Sequence, residues 1–178
     1  IPGNVGGAIY MNAGSAGGCM AEVVREVTML DRQTQRQTMV AGNIAWDYRR
    51  APWPKDSIIV EGTFRLQMTD YKNLKRAARQ WVLVRKRRQP AAASAGCFFK
   101  NPLSQTPAGR LIDQAGLKGK RIGQAEISRQ HANFIINRGE ASADDVLALK
   151  RLIETTVAER FGVELEPEVV ILGEERHA

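Results

Sequence analysis

The 178-residue sequence predicts an α+β protein in two parts, and three observations carry that expectation. Up to about residue 69, short apolar runs alternate with polar turns, which is strand patterning. Residues 70–88 and the stretch after Gly139 instead repeat apolar positions every three to four residues, as helices do. Pro90 and the small residues of 91–96 break the first of those helices and mark the best internal boundary. The expected organisation is a first domain over 1–69, a linking helix over 70–90 and a second domain over 91–178.

Taken in order, the opening "IPGNVGGAIYMNAGSAGG" holds six of the sixteen glycines and reads as a loop. Glycines let backbone amides come close to a ligand, so such a run can cradle a phosphate or lie along a flat ring. No GxGxxG or P-loop spacing is present to choose between these uses. "VREVTMLD" and "RQTMV", joined by a polar turn, predict a hairpin, and "SIIVEGTFRLQM" predicts one or two strands. In "DYKNLKRAARQWVLVRKRR" the apolar set Leu74, Ala77, Ala78, Trp81, Val82 and Val84 predicts a helix, with Asp70 as its N-cap. "PAGRLIDQAGLKG" predicts a short helix ended by Gly116 or Gly119, and "RIGQAEIS" and "ANFIIN" predict strands. The long helix that follows takes Ser142 as N-cap, the face Val146, Leu149, Ile153, Val157 and Phe161, and Gly162 as its stop. "VELEPEVVILG" closes the chain as a last expected strand.

Composition narrows the function. With 43% hydrophobic and 25% charged residues the chain has the make-up of a soluble globular protein. Its apolar runs are too short to span a bilayer and no signal-peptide pattern opens it, so a cytoplasmic location is expected. Cys19 and Cys97 fit no metal-ligand spacing and are read as reduced thiols, with no metal site expected. The net charge of +7 is concentrated in Arg76, Arg79, Arg85, Lys86, Arg87 and Arg88. Such a cluster suits nucleic acid, an acidic membrane surface, a phosphorylated small molecule, or nothing beyond a solvated helix face. Without a helix-turn-helix, RNP or zinc pattern the nucleic-acid reading loses support. The Ile start and the loop-like opening suggest that an upstream portion belongs to the protein.

Polar groups inside apolar stretches need partners, because burying one unpaired costs roughly 2–7 kcal/mol. Lys100 and Asn101 after Phe98 and Phe99, His131 and Asn133 around "HANFIIN", and Glu168 before "VVIL" meet that description. Singly, each has a plain alternative as a strand end, a core histidine or a strand-edge carboxylate.

Five segments occur together and in order: "IPGNVGGAIYMNAG", "DYRRA", "SAGCFFKNP", "AGRLIDQAGLKGKRIGQAEISRQHANFIIN" and "FGVELEPEV". In that set the sequence resembles the UDP-N-acetylenolpyruvoylglucosamine reductases, the MurB flavoenzymes, over essentially its whole length. The shorter family type is indicated, because no tyrosine-bearing insertion separates "DYRR" from "GCFFKNP". The resemblance implies part of a PCMH-like FAD-binding domain over 1–69 and a MurB C-terminal substrate-binding domain over 91–178. It implies that NADPH reduces FAD and that hydride then passes to UDP-N-acetylglucosamine enolpyruvate, giving UDP-N-acetylmuramate for peptidoglycan and cell-wall synthesis. The implied protein is a monomer with no nucleic-acid or membrane partner.

Residue by residue, the resemblance makes Cys97 the proton donor, in a place where the family usually has serine. It puts Arg49 against the substrate carboxylate and Glu168 beside it. Tyr48 packs that arginine, Asn101 and His131 contact substrate, and Arg88 or its neighbour Arg87 serves the pyrophosphate. Ile1, Pro2, Gly3, Val5, Gly6, Gly7 and Ala8 become the cofactor side, with Asn12 and Gly14 as weaker candidates. Cys19, Arg50 and Lys55 receive no role. The competing expectation is a UDP-sugar-binding module whose flavin site is incomplete.

Overall fold

The computed structural model describes residues 3–15, 17–102 and 106–173. The chain divides into two units, with the division between Asp70 and Tyr71.

In the first unit a short helix, α1 (Val5–Tyr10), is followed by the two-residue strands β1 (Gly14–Ser15) and β2 (Gly18–Cys19), which pair with each other. Strands β3 (Val24–Leu30), β4 (Arg36–Val40) and β5 (Ile58–Phe64) form an antiparallel sheet in the order β4-β3-β5. The expected hairpin is β3–β4, and "SIIVEGTFRLQM" contributes one strand, leaving Leu66 and Met68 exposed. Val24, Val27 and Met29 are all buried although their spacing is not a strict alternation. A register shift between Val24 and Glu26 accounts for this, since an extra residue flips the side-chain phase.

The opening segment is not a loop throughout, contrary to the sequence expectation. Asn4 caps α1, its Oδ1 accepting from the Gly7 N–H at 2.7 Å. Gly6 and Gly7 are poor helix formers, so packing carries the helix: Ile9 is fully buried with the β3 residues. Gly62 on β5 makes room for it, since a Cβ there would stand 2.6 Å from Ile9 Cδ1.

The second unit begins with α2 (Tyr71–Arg88), which buries none of its residues. The apolar face that predicted it, including Leu74, Trp81 and Val82, is exposed. Next come β6 (Ser94–Cys97), α3 (Ala108–Gln114), β7 (Arg121–Ile122), β8 (Ala125–Ile127), β9 (Phe134–Asn137) and α4 (Ala143–Phe161). The strands form an antiparallel sheet in the order β6-β9-β8-β7. Its core joins Phe98, Phe99, Leu111, Ile112, Ile127 and Ile135 to Leu149, Ile153 and Val157 of α4. α4 starts at Ser142 in a capping box with Asp145 and ends at Gly162 with φ 64°. Of its predicted face, Phe161 in the last turn stays exposed.

The expected final strand over "VELEPEVVILG" is absent as a regular element. Its one pairing is an isolated bridge between Phe99 and Pro167. The bonds on either side of that bridge come from the Lys100 and Glu168 N–H groups, while the Phe98 N–H that could extend the ladder is donated to Asn133 O instead.

Candidate active site

In the second unit, the "GCFFKNP" segment is held on both sides by backbone bonds. Toward β9, the Phe98 N–H donates to Asn133 O at 2.7 Å. The Asn133 side chain then closes a two-bond ring with Phe99: Oδ1 accepts from the Phe99 N–H at 2.9 Å and Nδ2 donates to Phe99 O at 2.7 Å. Asn133 is 2% exposed, so both its polar ends are used where water does not reach. On the other side, the Lys100 N–H donates to Glu166 O and the Glu168 N–H donates to Phe98 O, each at 2.8 Å. Lys100 also forms an ion pair with Glu166. Cys97, half-buried, and Glu168, half-buried, therefore stand on neighbouring rungs of one clamped segment.

Asn101 and His131 meet at the first turn of α3. Asn101 Oδ1 accepts from the Ala108 N–H at 3.1 Å, supplying the cap that Pro107 does not. One residue on, Gly109 lies against His131, where a Cβ would come within 3.0 Å of the imidazole Cε1. The His131 ring meets Phe134 edge-on at 4.9 Å, and its Nδ1 accepts from the Asn133 N–H at 3.3 Å. Burial pushes its pKa below the usual value, and the Lys118 charge acts in the same direction. At neutral pH this favours an uncharged imidazole with its proton on Nε2, a hydrogen-bond donor.

Arg88 lies in the last turn of α2 beside Arg85, Lys86 and Arg87. Gln130, next to His131 in sequence, donates from Nε2 to the carbonyls of Lys86 at 3.2 Å and Arg87 at 3.0 Å.

In the first unit, Tyr48 and Arg49 form the two-residue tip of a turn closed by Asp47 and Arg50, which exchange backbone bonds of 2.9 and 3.2 Å. Arg49 takes φ 56° there, a conformation uncommon for a side-chain-bearing residue. Its guanidinium lies 5.1 Å from the Tyr48 ring centroid and donates to Gly14 O at 2.9 Å. A Cβ on Gly14 would stand 2.9 Å from that guanidinium. Asn12, 5% exposed, ties the glycine segment to the turn: Nδ2 donates to Asp47 O at 2.9 Å and Oδ1 accepts from the Ala21 N–H at 3.0 Å. Tyr48 and Arg49 are thus gathered with Gly14, while Cys97, Glu168, Asn101, His131 and Arg88 belong to the second unit.

Gly3, Val5, Gly6, Gly7 and Ala8 lie in and just before α1; Ile1 and Pro2 fall outside the described residues. Gly3 has φ 147°, with nothing within 4 Å of where a Cβ would be. That backbone is glycine's, and it leaves the main chain open on that side. Among the described residues, no group of three or more His, Cys, Asp or Glu could hold a metal, and no helix is long and apolar enough to cross a membrane.

Sequence reasoning missed Glu126 on β8. Its side chain is 1% exposed and accepts a bidentate pair from Arg138, both bonds 2.9 Å, and a third from Arg121 at 2.5 Å. The Arg138 hydrogen bonds, helped by Arg121 and opposed by burial, lower its pKa to about 2. A lone carboxylate between Ala125 and Ile127, flanked in sequence by Arg121, Arg129 and Arg138, was the available signal.

Residues 89–172 match the family described as "UDP-N-acetylenolpyruvoylglucosamine reductase, C-terminal domain". A UDP-N-acetylenolpyruvoylglucosamine reductase of Syntrophobacter fumaroxidans is 46% identical across 100% of this chain and 52% of its own length. One from Desulfosudis oleivorans is 45% identical across 98% of this chain and 58% of its own. The crystal structure of the Thermus caldophilus enzyme, called MurB, superposes with a TM-score of 0.81 at 39% identity, covering 92% of this chain and 58% of that one. The chain spans little more than half the length of these relatives. Its α+β architecture is theirs, and on sequence and structure together the chain belongs to the UDP-N-acetylenolpyruvoylglucosamine reductase family.

Proposed function

We propose that the protein containing this chain reduces UDP-N-acetylglucosamine enolpyruvate to UDP-N-acetylmuramate for peptidoglycan synthesis in the cytoplasm. FAD, reduced by NADPH, would supply the hydride that reaches the β-carbon of the enolpyruvyl double bond. Gly3, Val5, Gly6, Gly7 and Ala8 would hold it, and the open backbone at Gly3 is the observation that supports the fit.

The remaining chemistry falls to side chains. Hydride arrival at the β-carbon moves electron density onto the carboxylate as an enediolate, which needs fixed donors. Arg49 offers a planar fork for that carboxylate, and its bond to Gly14 O and its stacking on Tyr48 restrict where the fork points. The Cys97 thiol gives its proton to the α-carbon, completing the addition and leaving a thiolate that is reprotonated from solvent. Glu168, on the neighbouring rung of the same clamp, would disfavour early loss of that proton if its carboxylate faces the thiol, since a second negative charge nearby raises the energy of a thiolate. Asn101, His131 and Arg88 take the nucleotide end, His131 as a neutral Nε2–H donor and Arg88 as a pyrophosphate ligand.

The observation that carries the reading is the clamp on "GCFFKNP", in which the Glu168 N–H bonds Phe98 O one residue from Cys97. The test is rapid mixing of the reduced flavoprotein with substrate. Cys97→Ser should reoxidise the flavin at a substantial rate, and Cys97→Ala should slow that half-reaction by about 100-fold while NADPH reduction stays normal. Normal reoxidation in the alanine variant would overturn the assignment of Cys97.

A further inference from the structure

The last four carbonyls of any helix have no partner within it. At the end of α2 this matters because four consecutive residues, Arg85 to Arg88, are cationic. The helix dipole favours them there, but they repel one another, and a frayed last turn would scatter the long arginine side chains. The Gln89 N–H takes the Arg85 carbonyl at 2.9 Å. Gln130 takes the next two, Lys86 and Arg87, with a single side-chain amide. A neutral amide satisfies those carbonyls without adding a fifth positive charge.

Gln130 is itself fixed. Its N–H and that of His131 both donate to Ser128 Oγ, at 3.2 and 3.3 Å, and Ser128 is 2% exposed. One short turn therefore mounts the His131 imidazole and, through Gln130, the end of α2. We infer that Gln130 is a positioning residue that sets the last turn of α2 so that Arg88 meets the pyrophosphate of the nucleotide in register with His131. This rests on the reading of Arg88 and His131 as nucleotide ligands.

The experiment compares binding of UDP and UMP by calorimetry to the unaltered protein, Gln130→Met, Gln130→Lys, Arg88→Ala and the Gln130→Met/Arg88→Ala pair, each checked for folding by circular dichroism. Arg88→Ala should weaken UDP by about ten-fold, the scale of one lost charge-assisted contact, and UMP much less. Gln130→Met, of similar length but without donors, should weaken UDP about three-fold or more and leave UMP within about two-fold. It should add nothing in the Arg88→Ala background, because a residue acting through another has no effect once that other is gone. Gln130→Lys keeps a donor for both carbonyls but adds a fifth positive charge, so it should bind UDP more tightly than Gln130→Met without matching the unaltered protein.

Equal loss of UDP and UMP in Gln130→Met would mean that Gln130 is a helix cap without a role toward the pyrophosphate, and additive loss in the pair would mean that it does not act through Arg88; either overturns the inference. An unchanged UDP affinity in Gln130→Met alongside a weakened Arg88→Ala would overturn the inference and leave the ligand assignment standing. If Arg88→Ala itself binds UDP normally, the assignment of Arg88 fails, and the inference with it.

Discussion

The two units hold their candidate functional residues by different means. In the second, Cys97 and Glu168 sit on a segment pinned by backbone bonds and by the buried Asn133, over a core that runs from Phe98 to Leu165. In the first, Arg49 sits on a turn tip at φ 56° above a much smaller core of Ile9, Val24, Val27, Met29 and Ile44. Its placement depends on Asn12 and on the absence of a side chain at Gly14. The difference teaches where each part is fragile. The second unit should fail through loss of buried polar pairing, the first through small changes of volume at glycines.

Asn133→Leu breaks the second unit's scheme most directly. It leaves the Phe99 N–H and C=O without their partners in a dry environment, at about 1–3 kcal/mol each. A loss of roughly 2–5 kcal/mol in urea unfolding is expected, and a loss below about 1 kcal/mol would mean that other groups or water can replace the asparagine.

Glu126 sharpens the same contrast through pH. Its folded pKa of about 2 lies below the usual 4.5, so between those values the unfolded chain binds the extra proton. Its contribution is complete above pH 4.5 and is lost as the pH falls toward 2. Glu126→Gln should therefore flatten the acid limb of the second unit's stability while lowering stability at pH 7. An acid limb unchanged by Glu126→Gln would show that the arginines are solvated rather than paired. His131 adds a smaller component of the same sign, since its lowered pKa makes protonation unfavourable to the folded state.

The elements whose signals are local were legible in the sequence. α4 could be read from Ser142 to Gly162 because its cap, its apolar face and its left-handed stop all lie within or beside it. The "GCFFKNP" and "RQHANF" segments stood out because polar groups interrupt apolar runs. What stayed hidden depends on partners distant in sequence. α1 forms across Gly6 and Gly7 because Ile9 is buried against a sheet far along the chain. The last expected strand gives way to a single bridge at Pro167. Gln130 carries no signal of its own in the sequence, because its partners are carbonyls at the end of α2 more than forty residues earlier. For Glu126 the sequence offers its apolar neighbours as a signal of burial, but which arginines pair with it emerges only once β7, β8 and the turn after β9 bring Arg121 and Arg138 around it.

The first unit's dependence on glycine can be probed at Gly62, where the expected effect is smallest. A methyl there would stand 2.6 Å from Ile9 Cδ1 and 3.4 Å from the Phe64 ring. Replacing a strand glycine by alanine is otherwise favourable by about 0.4–1 kcal/mol through the unfolded chain. Against this, Ile9 is fully buried and must leave its rotamer, at about 1–3 kcal/mol. The net loss for Gly62→Ala should be about 1 kcal/mol, the difference of the two. Ile9→Val removes the clashing Cδ1 and by itself should cost about 0.5–1.5 kcal/mol. If volume at this contact is the controlling quantity, the double variant should be more stable than the sum of the single losses predicts, by about the overpacking cost. Simple additivity would show that the small core yields elsewhere, and the contrast between a glycine-limited first unit and a pairing-limited second would then rest on Gly14 and Arg49 alone.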